Sequence, residues 1–186
     1  RQAWRAIQDA IPKDAIISSD IGNNCAIGNA YPTFEKGRKY LAPGLFGPCG
    51  YGFPAILGAK IGCPDTPVIG FAGDGAFGIS MNEMSSCARE EWPAITMVIF
   101  RNYQWGAEKR NSILWFDDNF IGTELDPELS YAKVANACGL IGVTCKTMEE
   151  TTKAIKQSCE DQKKGITTFI ELSLIHISEP TRHERI

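Results

Sequence analysis

An almost unbroken apolar run at residues 94–100 constrains the fold of this chain more than any other feature. Only Thr96 interrupts it. A strand with one solvent-exposed face alternates apolar and polar residues, whereas a strand in a parallel sheet is buried on both faces and is apolar throughout. The run therefore predicts a central strand of a parallel sheet at residues 95–100.

Further strand and helix patterns alternate along the chain. Strands are predicted at residues 15–19, 39–42, 68–72, 141–145 and 166–172. Helices are predicted at residues 54–61, 80–91, 129–138 and 147–163. One more helix, before Pro12, carries on one face Trp4, Ile7, Ala10 and Ile11. Strands that alternate with helices of this length indicate right-handed crossovers. The predicted fold class is one α/β domain with a doubly wound parallel sheet flanked by helices.

Local patterns predict where two of the helices begin. Ser80 with Glu83, and Thr147 with Glu150, have the S/T-x-x-E spacing of a capping box. This position favours a structural role for Glu83 over proton transfer. Residues 103–128 have no regular pattern, and we expect an irregular segment with at most a short helix.

Composition excludes several classes of function. The 19 Lys and Arg residues against 22 Asp and Glu residues give a formal net charge of −3, without a basic block that could follow a phosphate backbone. We therefore expect no nucleic-acid partner. The longest apolar run is far shorter than the about 20 residues that cross a membrane, so no membrane partner is expected. Seven cysteines without a C-x-x-C pair indicate reduced thiols in a cytoplasmic protein.

The last segment has the sequence of a non-native tail. Residues 172–182 resemble the in-frame translation of a sequencing-library transposase adapter. We therefore assign residues 1–171 to the domain, a fragment of a larger protein, and residues 172–186 to the tail. The alternative is a genuine polar C-terminal tail. Both histidines, His176 and His183, lie in this segment, so the predicted domain has no histidine for a general base or a metal ligand.

Polar loops are predicted at the carboxyl ends of the strands, where ligands bind in such sheets. These loops are residues 20–24, 46–50, 73–77 and 101–106. Asp74 ends one strand, and Asn102 ends the next one after a single helical crossover. Neighbouring strands lie about 4.8 Å apart, so both side chains can reach one cation. Mg²⁺ prefers such oxygen ligands and shares them with phosphate groups.

The alternative for Asp74 is a structural aspartate in a strand-end turn. Against it, Gly73 and Gly75 allow close approach of the backbone to an anion, and the N–H groups of Gly75 and Ala76 are candidate donors to a diphosphate. A strand-end G-D-G followed by one helix, one apolar strand and Asn102 is more specific than a turn motif. The pattern favours a metal and phosphate site.

The spacing of these residues resembles a known signature. G-D-G at 73–75, 25 intervening residues and Arg101-Asn102 are similar to the G-D-G…N-N signature of thiamine-diphosphate-dependent enzymes, with Arg101 in place of the first asparagine. The resemblance implies thiamine diphosphate and Mg²⁺ as cofactors. It also implies that Asp74, Asn102 and the main-chain carbonyl of Gln104 are the metal ligands. The implied fold is the thiamine-diphosphate-binding fold.

Other loops resemble the C-terminal cofactor-binding domain of the same enzymes, and the resemblance covers residues 1–171. Residues 47–54 are similar to the segment under the aminopyrimidine ring, with Cys49 where many members have methionine. Because Cys49 has no histidine partner, packing against the cofactor is favoured over a nucleophilic role. The cofactor-binding residues that the resemblance implies are Gly22, Asn23, Asn24, Gly47, Cys49, Gly73, Asp74, Gly75, Ala76, Asn102, Gln104 and Gly106.

The phrase Q-W-G-A-E-K at 104–109 separates branches of the family. It resembles the branch whose members convert sulfoacetaldehyde and phosphate into acetyl phosphate and sulfite. Trp105 and Lys109 are the candidate substrate residues, and the alternatives are a core position for Trp105 and a solvated surface charge for Lys109. The second hypothesis is an acetolactate synthase-like enzyme or a 2-oxo-acid decarboxylase. The third is a non-catalytic cofactor-binding or oligomerisation domain.

The resemblance also implies parts that lie outside this chain. In the family, a glutamate that activates the cofactor belongs to an N-terminal domain, and the active site forms between subunits. We therefore expect the catalytic glutamate in that domain, and a homodimer or homotetramer that forms through it. This chain alone is expected to bind the cofactor weakly and to turn over no substrate.

Overall fold

The computed structural model describes residues 2–34 and 39–174. Within them the chain forms one six-stranded sheet, and all neighbouring strands are parallel. The strands are β1 (Ile16–Ser19), β2 (Tyr40–Leu41), β3 (Val68–Gly73), β4 (Thr96–Arg101), β5 (Ile141–Cys145) and β6 (Thr168–Ser173). Their order across the sheet is β2-β1-β3-β4-β6-β5. This arrangement is the doubly wound parallel sheet that the sequence predicts.

Helices connect the strands and cover both faces of the sheet. They are α1 (Gln2–Ala10), α2 (Asn23–Ala30), α3 (Gly52–Gly62), α4 (Asp74–Ser80), α5 (Met84–Cys87), α6 (Gly106–Trp115), α7 (Tyr131–Ala137) and α8 (Met148–Gln162). A 3₁₀ turn, Met81–Glu83, joins α4 to α5. None of the helices in the described ranges has the length and apolar character needed to cross a membrane.

The strand order creates a crevice beside β1. From β1 the chain moves to the edge strand β2 on one side, and it then returns to β3 on the other side. In open α/β sheets such a switch point leaves space at the carboxyl ends of the strands. Gly73 of β3 pairs in register with Phe100 of β4. The loops after these two strands therefore begin side by side, as predicted.

Two apolar clusters cover the two faces of the sheet. On one face, the Trp4 ring of α1 lies 4.9 Å from the Phe71 ring of β3. On the other face, Phe53 of α3 is completely buried. Val98 belongs to the first cluster and Ile99 to the second. Burial on both faces explains why this strand is apolar throughout.

Most of the predicted elements are confirmed. Each of the six predicted strands is present, with its ends within two residues of the prediction. The residues of the predicted N-terminal helix face are buried. The capping box at α8 is also present: the Thr147 hydroxyl accepts from the Glu150 N–H at 3.1 Å, and the Glu150 carboxylate accepts from the Thr147 N–H at 3.2 Å.

The predicted capping box at Ser80 and Glu83 is wrong. α4 already begins at Asp74, and Ser80 Oγ is buried without a hydrogen-bond partner in the described part of the chain. The physical reason is that Ser80 is the last residue of a helix that starts directly at the strand end, and its backbone (φ −113°, ψ 10°) does not have the extended conformation of an N-cap. Glu83 accepts instead from the hydroxyl of Ser86.

Two segments expected to be irregular contain helices. α2 begins at Asn23, inside the segment 20–24 that the sequence predicts as a polar turn. α6 occupies part of residues 103–128, and none of its residues is buried. A helix without a buried face has no apolar stripe, which is why periodicity did not predict its extent.

At the carboxyl end of the described chain, β6 continues to Ser173. Leu172 and Ser173, which the sequence assigns to the tail, are buried and pair with β4. His176 and His183 lie outside the described residues. The assignment of residues 172–186 to a non-native tail stays a prediction.

Candidate functional site

A cleft of about 620 Å³ opens at the carboxyl ends of the strands around the switch point. Every cofactor-binding residue predicted above lines it, and so does Trp105. Lys109 does not line it: its ammonium pairs with Glu124 and lies 5.1 Å from the centre of the Phe120 ring. The fold therefore gathers loops that are far apart in sequence into one cleft.

The two oxygens of the Asp74 carboxylate have different environments. Oδ2 accepts from Arg101 Nη1 at 3.1 Å, from the Asn102 N–H at 3.1 Å and from the Tyr103 N–H at 2.7 Å. Oδ1 accepts only from the N–H of Gly75, at 3.1 Å. Oδ2 is thus saturated with donors, whereas Oδ1 keeps the capacity to bind another group.

The Asn102 side-chain amide meets two oxygen atoms at this point of the cleft. When its oxygen is turned toward them, that atom lies 3.1 Å from Asp74 Oδ1 and 3.0 Å from the main-chain carbonyl oxygen of Gln104. Three acceptors repel one another unless a cation or a donor lies between them. If the amide rotates by 180°, its nitrogen donates to the other two oxygens. The arrangement can therefore bind a small cation, or close on itself through two hydrogen bonds.

A strained turn holds the Gln104 carbonyl in this position. Tyr103 has a φ of 60°, in the left-handed region that residues with a side chain rarely adopt. Its carbonyl accepts from the Leu125 N–H at 2.9 Å, and the Trp105 N–H donates to the Thr123 carbonyl at 2.8 Å. These bonds on either side of Gln104 fix the turn against a second segment of chain.

Electrostatics at Asp74 favour a bound cation. Burial raises the pKa of the Asp74 carboxyl above its ordinary value, and the Tyr103 N–H, the Arg101 guanidinium and the Asn102 N–H oppose this effect. The carboxylate is thus poorly solvated despite its hydrogen bonds. A cation beside it would favour the ionised form strongly.

Glycines allow side chains to approach the backbone closely next to these atoms. A Cβ on Gly106 would lie 3.1 Å from the amide nitrogens of both Asn23 and Asn102. Two side-chain donors thus meet at the first residue of α6, where backbone N–H groups have no partner within the helix. A Cβ on Gly75 would lie 2.8 Å from the Trp105 ring, so the indole packs directly on that glycine. Such donors suit an anionic ligand.

Sequence reasoning missed the role of Asp20, at the end of β1. Its side chain is completely buried. Oδ1 accepts from the N–H groups of Ile21 at 2.8 Å and Gly50 at 3.0 Å, and Oδ2 accepts from Gly52 at 2.7 Å. Asp20 therefore fastens the loop 47–52 to the sheet. Burial raises the pKa of its carboxyl, and these N–H groups oppose the shift. A signal was available, since an aspartate directly after a strand is the pattern that identified the other carboxylate.

Sequence reasoning also missed two residues around Asp74. The Arg101 side chain is completely buried and pairs with the Asp74 carboxylate at 3.1 Å. Tyr131 of α7 donates its hydroxyl hydrogen to the Asp74 main-chain carbonyl at 2.8 Å, 57 residues away in sequence. No local pattern predicts a contact of that separation.

The remaining polar groups of the cleft do not form a conventional metal cluster. No group of three His, Cys, Asp or Glu side chains in the described ranges could hold a metal ion. The candidate cation position uses one carboxylate, one amide and one carbonyl. Burial, together with the charges of Asp20 and Glu108, raises the pKa of the Cys49 thiol, which disfavours its nucleophilic thiolate form.

Comparison with known proteins gives consistent matches. Residues 20–172 match the family model of the thiamine pyrophosphate enzyme C-terminal TPP binding domain. A protein of Rhizobium meliloti (strain 1021), named "Probable sulfoacetaldehyde acetyltransferase", is 72% identical over 185 residues, which are 99% of this chain and 31% of that protein. The sulfoacetaldehyde acetyltransferase of Roseovarius nubinhibens is 70% identical over 185 residues, with the same coverage of 99% and 31%. The chain thus spans about a third of the length of these relatives.

A solved structure supports the same assignment. The thiamine diphosphate-dependent 4-hydroxybenzoylformate decarboxylase of Rhodococcus jostii RHA1 superposes with a TM-score of 0.83 at 25% identity, over 92% of this chain and 32% of that chain. The predicted fold class is therefore confirmed. With the family match over residues 20–172, these findings show that the chain belongs to the thiamine pyrophosphate enzymes, as their C-terminal TPP-binding domain.

Proposed function

We propose that this chain is the cofactor-binding part of an acetyltransferase that converts sulfoacetaldehyde and phosphate into acetyl phosphate and sulfite. The substrate is proposed because the chain is 72% and 70% identical to relatives named as sulfoacetaldehyde acetyltransferases. Because the chain spans 31% of those relatives, the activity belongs to the whole protein.

Mg²⁺ is the cation that we propose at the three converging oxygens. In an octahedral site with metal–oxygen distances of about 2.1 Å, adjacent ligand oxygens lie about 3.0 Å apart. The distances of 3.1 and 3.0 Å from the Asn102 amide oxygen have that length. Asp74, Asn102 and the Gln104 carbonyl would hold the cation, which would bind the diphosphate of the cofactor.

Thiamine diphosphate suits the donors of the cleft. The Asn23 amide and the start of α6 at Gly106 offer N–H groups to a diphosphate, and Ala76 offers another from the first turn of α4. The N–H of Gly75 is already bonded to Asp74, so Gly75 serves by lacking a side chain. When bound, thiamine diphosphate supplies the nucleophilic carbon for acyl transfer. The other proposed contacts are Gly22, Asn24, Gly47, Cys49 and Gly73.

On the substrate side, Trp105 is the stronger of the two candidates. It lines the cleft and packs on Gly75, beside the proposed cofactor position. Lys109 pairs with Glu124, and it would have to leave that partner to reach a sulfonate. We therefore propose Trp105 as a wall of the substrate site and Lys109 as a secondary contact.

The proposal places the rest of the active site outside this chain. A glutamate of an N-terminal domain would activate the cofactor, and the complete enzyme would be a homodimer or homotetramer. All seven cysteines are free, which suits a cytoplasmic protein. The isolated chain is expected to bind the cofactor weakly and to release no sulfite.

Sulfite release by the full-length enzyme tests this function. With sulfoacetaldehyde, phosphate, thiamine diphosphate and Mg²⁺, we expect one acetyl phosphate for each sulfite. Carbon dioxide from pyruvate without sulfite release would support an acetolactate synthase or a decarboxylase instead. Cofactor binding without turnover of either substrate would support a non-catalytic domain.

A further inference from the structure

We propose that Arg101 is a positioning residue that links the cation site to the loop 103–129, which joins β4 to α7. The inference rests on the proposed function, because it concerns the cation of that function. Arg101 is the last residue of β4, and its side chain is completely buried. A buried guanidinium needs partners for its charge and its N–H groups. Those partners define what it holds in place.

One side of the guanidinium holds the carboxylate. Nη1 donates to Asp74 Oδ2 at 3.1 Å. The other oxygen, Oδ1, is the one that lies 3.1 Å from the Asn102 amide oxygen. Together with the N–H groups of Asn102 and Tyr103, Arg101 holds Oδ2, so the carboxylate keeps Oδ1 beside Asn102. Arg101 thus acts through Asp74 and not on the cation itself.

The other side of the guanidinium holds the loop. Nη2 donates to the main-chain carbonyl oxygens of Asp126 at 2.7 Å and Leu129 at 2.6 Å, near the end of the loop. The guanidinium carbon also lies 4.4 Å from the centre of the Tyr103 ring, where the loop begins. One side chain therefore contacts both ends of the loop 103–129 and the carboxylate of the cation site.

The middle of this loop packs little against the rest of the domain. Its helix, α6, has no buried residue. Segments 103–105 and 123–125, which we call the neck, are joined by backbone hydrogen bonds of 2.8 and 2.9 Å. Gln104 lies in the neck and offers its carbonyl to the proposed cation. Order in the neck and cation binding are therefore linked, and each favours the other by the same factor.

Two variants separate geometry from charge. In R101K the ammonium keeps the charge, but it cannot span a carboxylate and two carbonyls as the planar fork does. In R101Q the charge is lost as well. The matched control is R110Q, which removes an exposed arginine from α6 in the same loop. All variants are made in the full-length enzyme.

The test uses two readouts besides activity. The first is the Mn²⁺ dissociation constant in the presence of thiamine diphosphate, measured by electron paramagnetic resonance. The second is hydrogen–deuterium exchange of peptides that cover residues 103–129. We expect R101K and R101Q to raise the dissociation constant about tenfold. We also expect faster exchange in this loop, with unchanged exchange in α8, whereas R110Q matches the wild type in both readouts.

Several results would overturn the inference. Wild-type Mn²⁺ affinity and loop exchange in R101Q would do so, and so would tighter Mn²⁺ binding, since that would mean that the guanidinium repels the cation. Faster exchange throughout the domain would indicate a merely structural role. If R101Q does not fold, the Mn²⁺ affinity and the loop exchange of R101K alone test the inference. A wild-type enzyme that binds neither Mn²⁺ nor cofactor contradicts the proposed function, and loop exchange in R101K still tests the link to the loop.

Discussion

Asp20 and Asp74 follow neighbouring strands, both are buried, and burial raises the pKa of both carboxyl groups. Their partners differ. Both oxygens of Asp20 accept backbone N–H groups that hold the loop 47–52. Asp74 has one oxygen saturated by three donors, and the other accepts the Gly75 N–H and faces the Asn102 amide.

The difference shows how one residue type in one position serves two purposes. Each carboxylate has one oxygen that accepts a single backbone N–H, Oδ2 of Asp20 and Oδ1 of Asp74, so acceptor capacity alone does not separate them. Asp74 lines the cleft, and its Oδ1 lies beside the Asn102 amide, whereas Asp20 does not line the cleft and its oxygens face the loop 47–52. The surroundings of that second oxygen, and not burial or pKa, distinguish the two roles.

The substitution D20N should have the largest effect on stability. In either orientation the amide nitrogen faces a backbone N–H that needs an acceptor, since both oxygens of Asp20 are used. We expect the free energy of unfolding to fall by about 3 kcal/mol. Denaturant unfolding measures this loss, and the Mn²⁺ affinity of the folded protein should fall less than in D74N, because Asp20 does not line the cleft. A weakened Mn²⁺ affinity without a loss of stability would abolish the distinction.

The substitution D74N should have its main effect on the cation site. The amide oxygen can replace Oδ2 and keep its three donors, while the nitrogen takes the place of Oδ1 and faces the Gly75 N–H. We expect Mn²⁺ affinity to fall about a hundredfold, or about 2.7 kcal/mol. The free energy of unfolding should fall as well, because the Gly75 N–H loses its acceptor and the buried Arg101 loses its ionic partner. A Mn²⁺ affinity no lower than that of D20N would contradict the comparison.

Two glycine substitutions compare the surroundings of the carboxylates. A Cβ on Gly52 would lie 2.8 Å from the backbone nitrogen of Asp20, which cannot move independently of the strand, whereas a Cβ on Gly75 would lie 2.8 Å from the Trp105 ring. We expect G52A to lower the free energy of unfolding by about 2 kcal/mol and G75A by less. G75A should instead change the tryptophan fluorescence, because the ring must shift. Unchanged fluorescence in a folded G75A protein would argue against this contact.

Cys87 offers a comparison with the two aspartates, because only its own backbone N–H opposes the effect of burial on the pKa of its thiol. Burial raises the pKa of its thiol from 9.0 to about 12, with a contribution from the charge of Glu83. The thiol ionises at lower pH in the unfolded state than in the folded state. Its contribution to the free energy of unfolding is therefore complete below pH 9 and is lost as pH rises toward 12. Between pH 8 and 9.5 the wild type should lose about 1 kcal/mol more than C87A. The control C63A replaces an exposed thiol, and it should follow the wild type.

Much of the fold could be predicted from local pattern. The strand at 95–100 follows from burial on both faces, and the N-terminal helix follows from the spacing of its apolar residues. The meeting of Asp74 with Asn102 follows from topology, because consecutive strands of a parallel sheet end at the same edge. These features depend on periodicity or on chain order, both of which the sequence contains directly.

The remaining features depend on contacts between distant segments. The donors that distinguish Asp20 come partly from a loop 30 and 32 residues further along the chain. The partners of Arg101 in the loop 103–129 lie 25 and 28 residues away. Ser80 and Glu83 have the spacing of a cap, but the helix begins at Asp74, directly after β3 and without a side-chain cap, so no local pattern marks its start.

The position of β6 has a consequence for synthesis on the ribosome. β4 lies between β3 and β6, and β6 is the last strand of the described chain to be made. Until it emerges, an apolar strand presents one edge of unpaired N–H and C=O groups, which favours aggregation. Trp4 and Ile7 of α1 belong to the same buried cluster as Ile155 of α8, so this part of the cluster stays incomplete until α8 has been synthesised. Until β6 is synthesised, the nascent domain therefore keeps this edge of β4 unpaired.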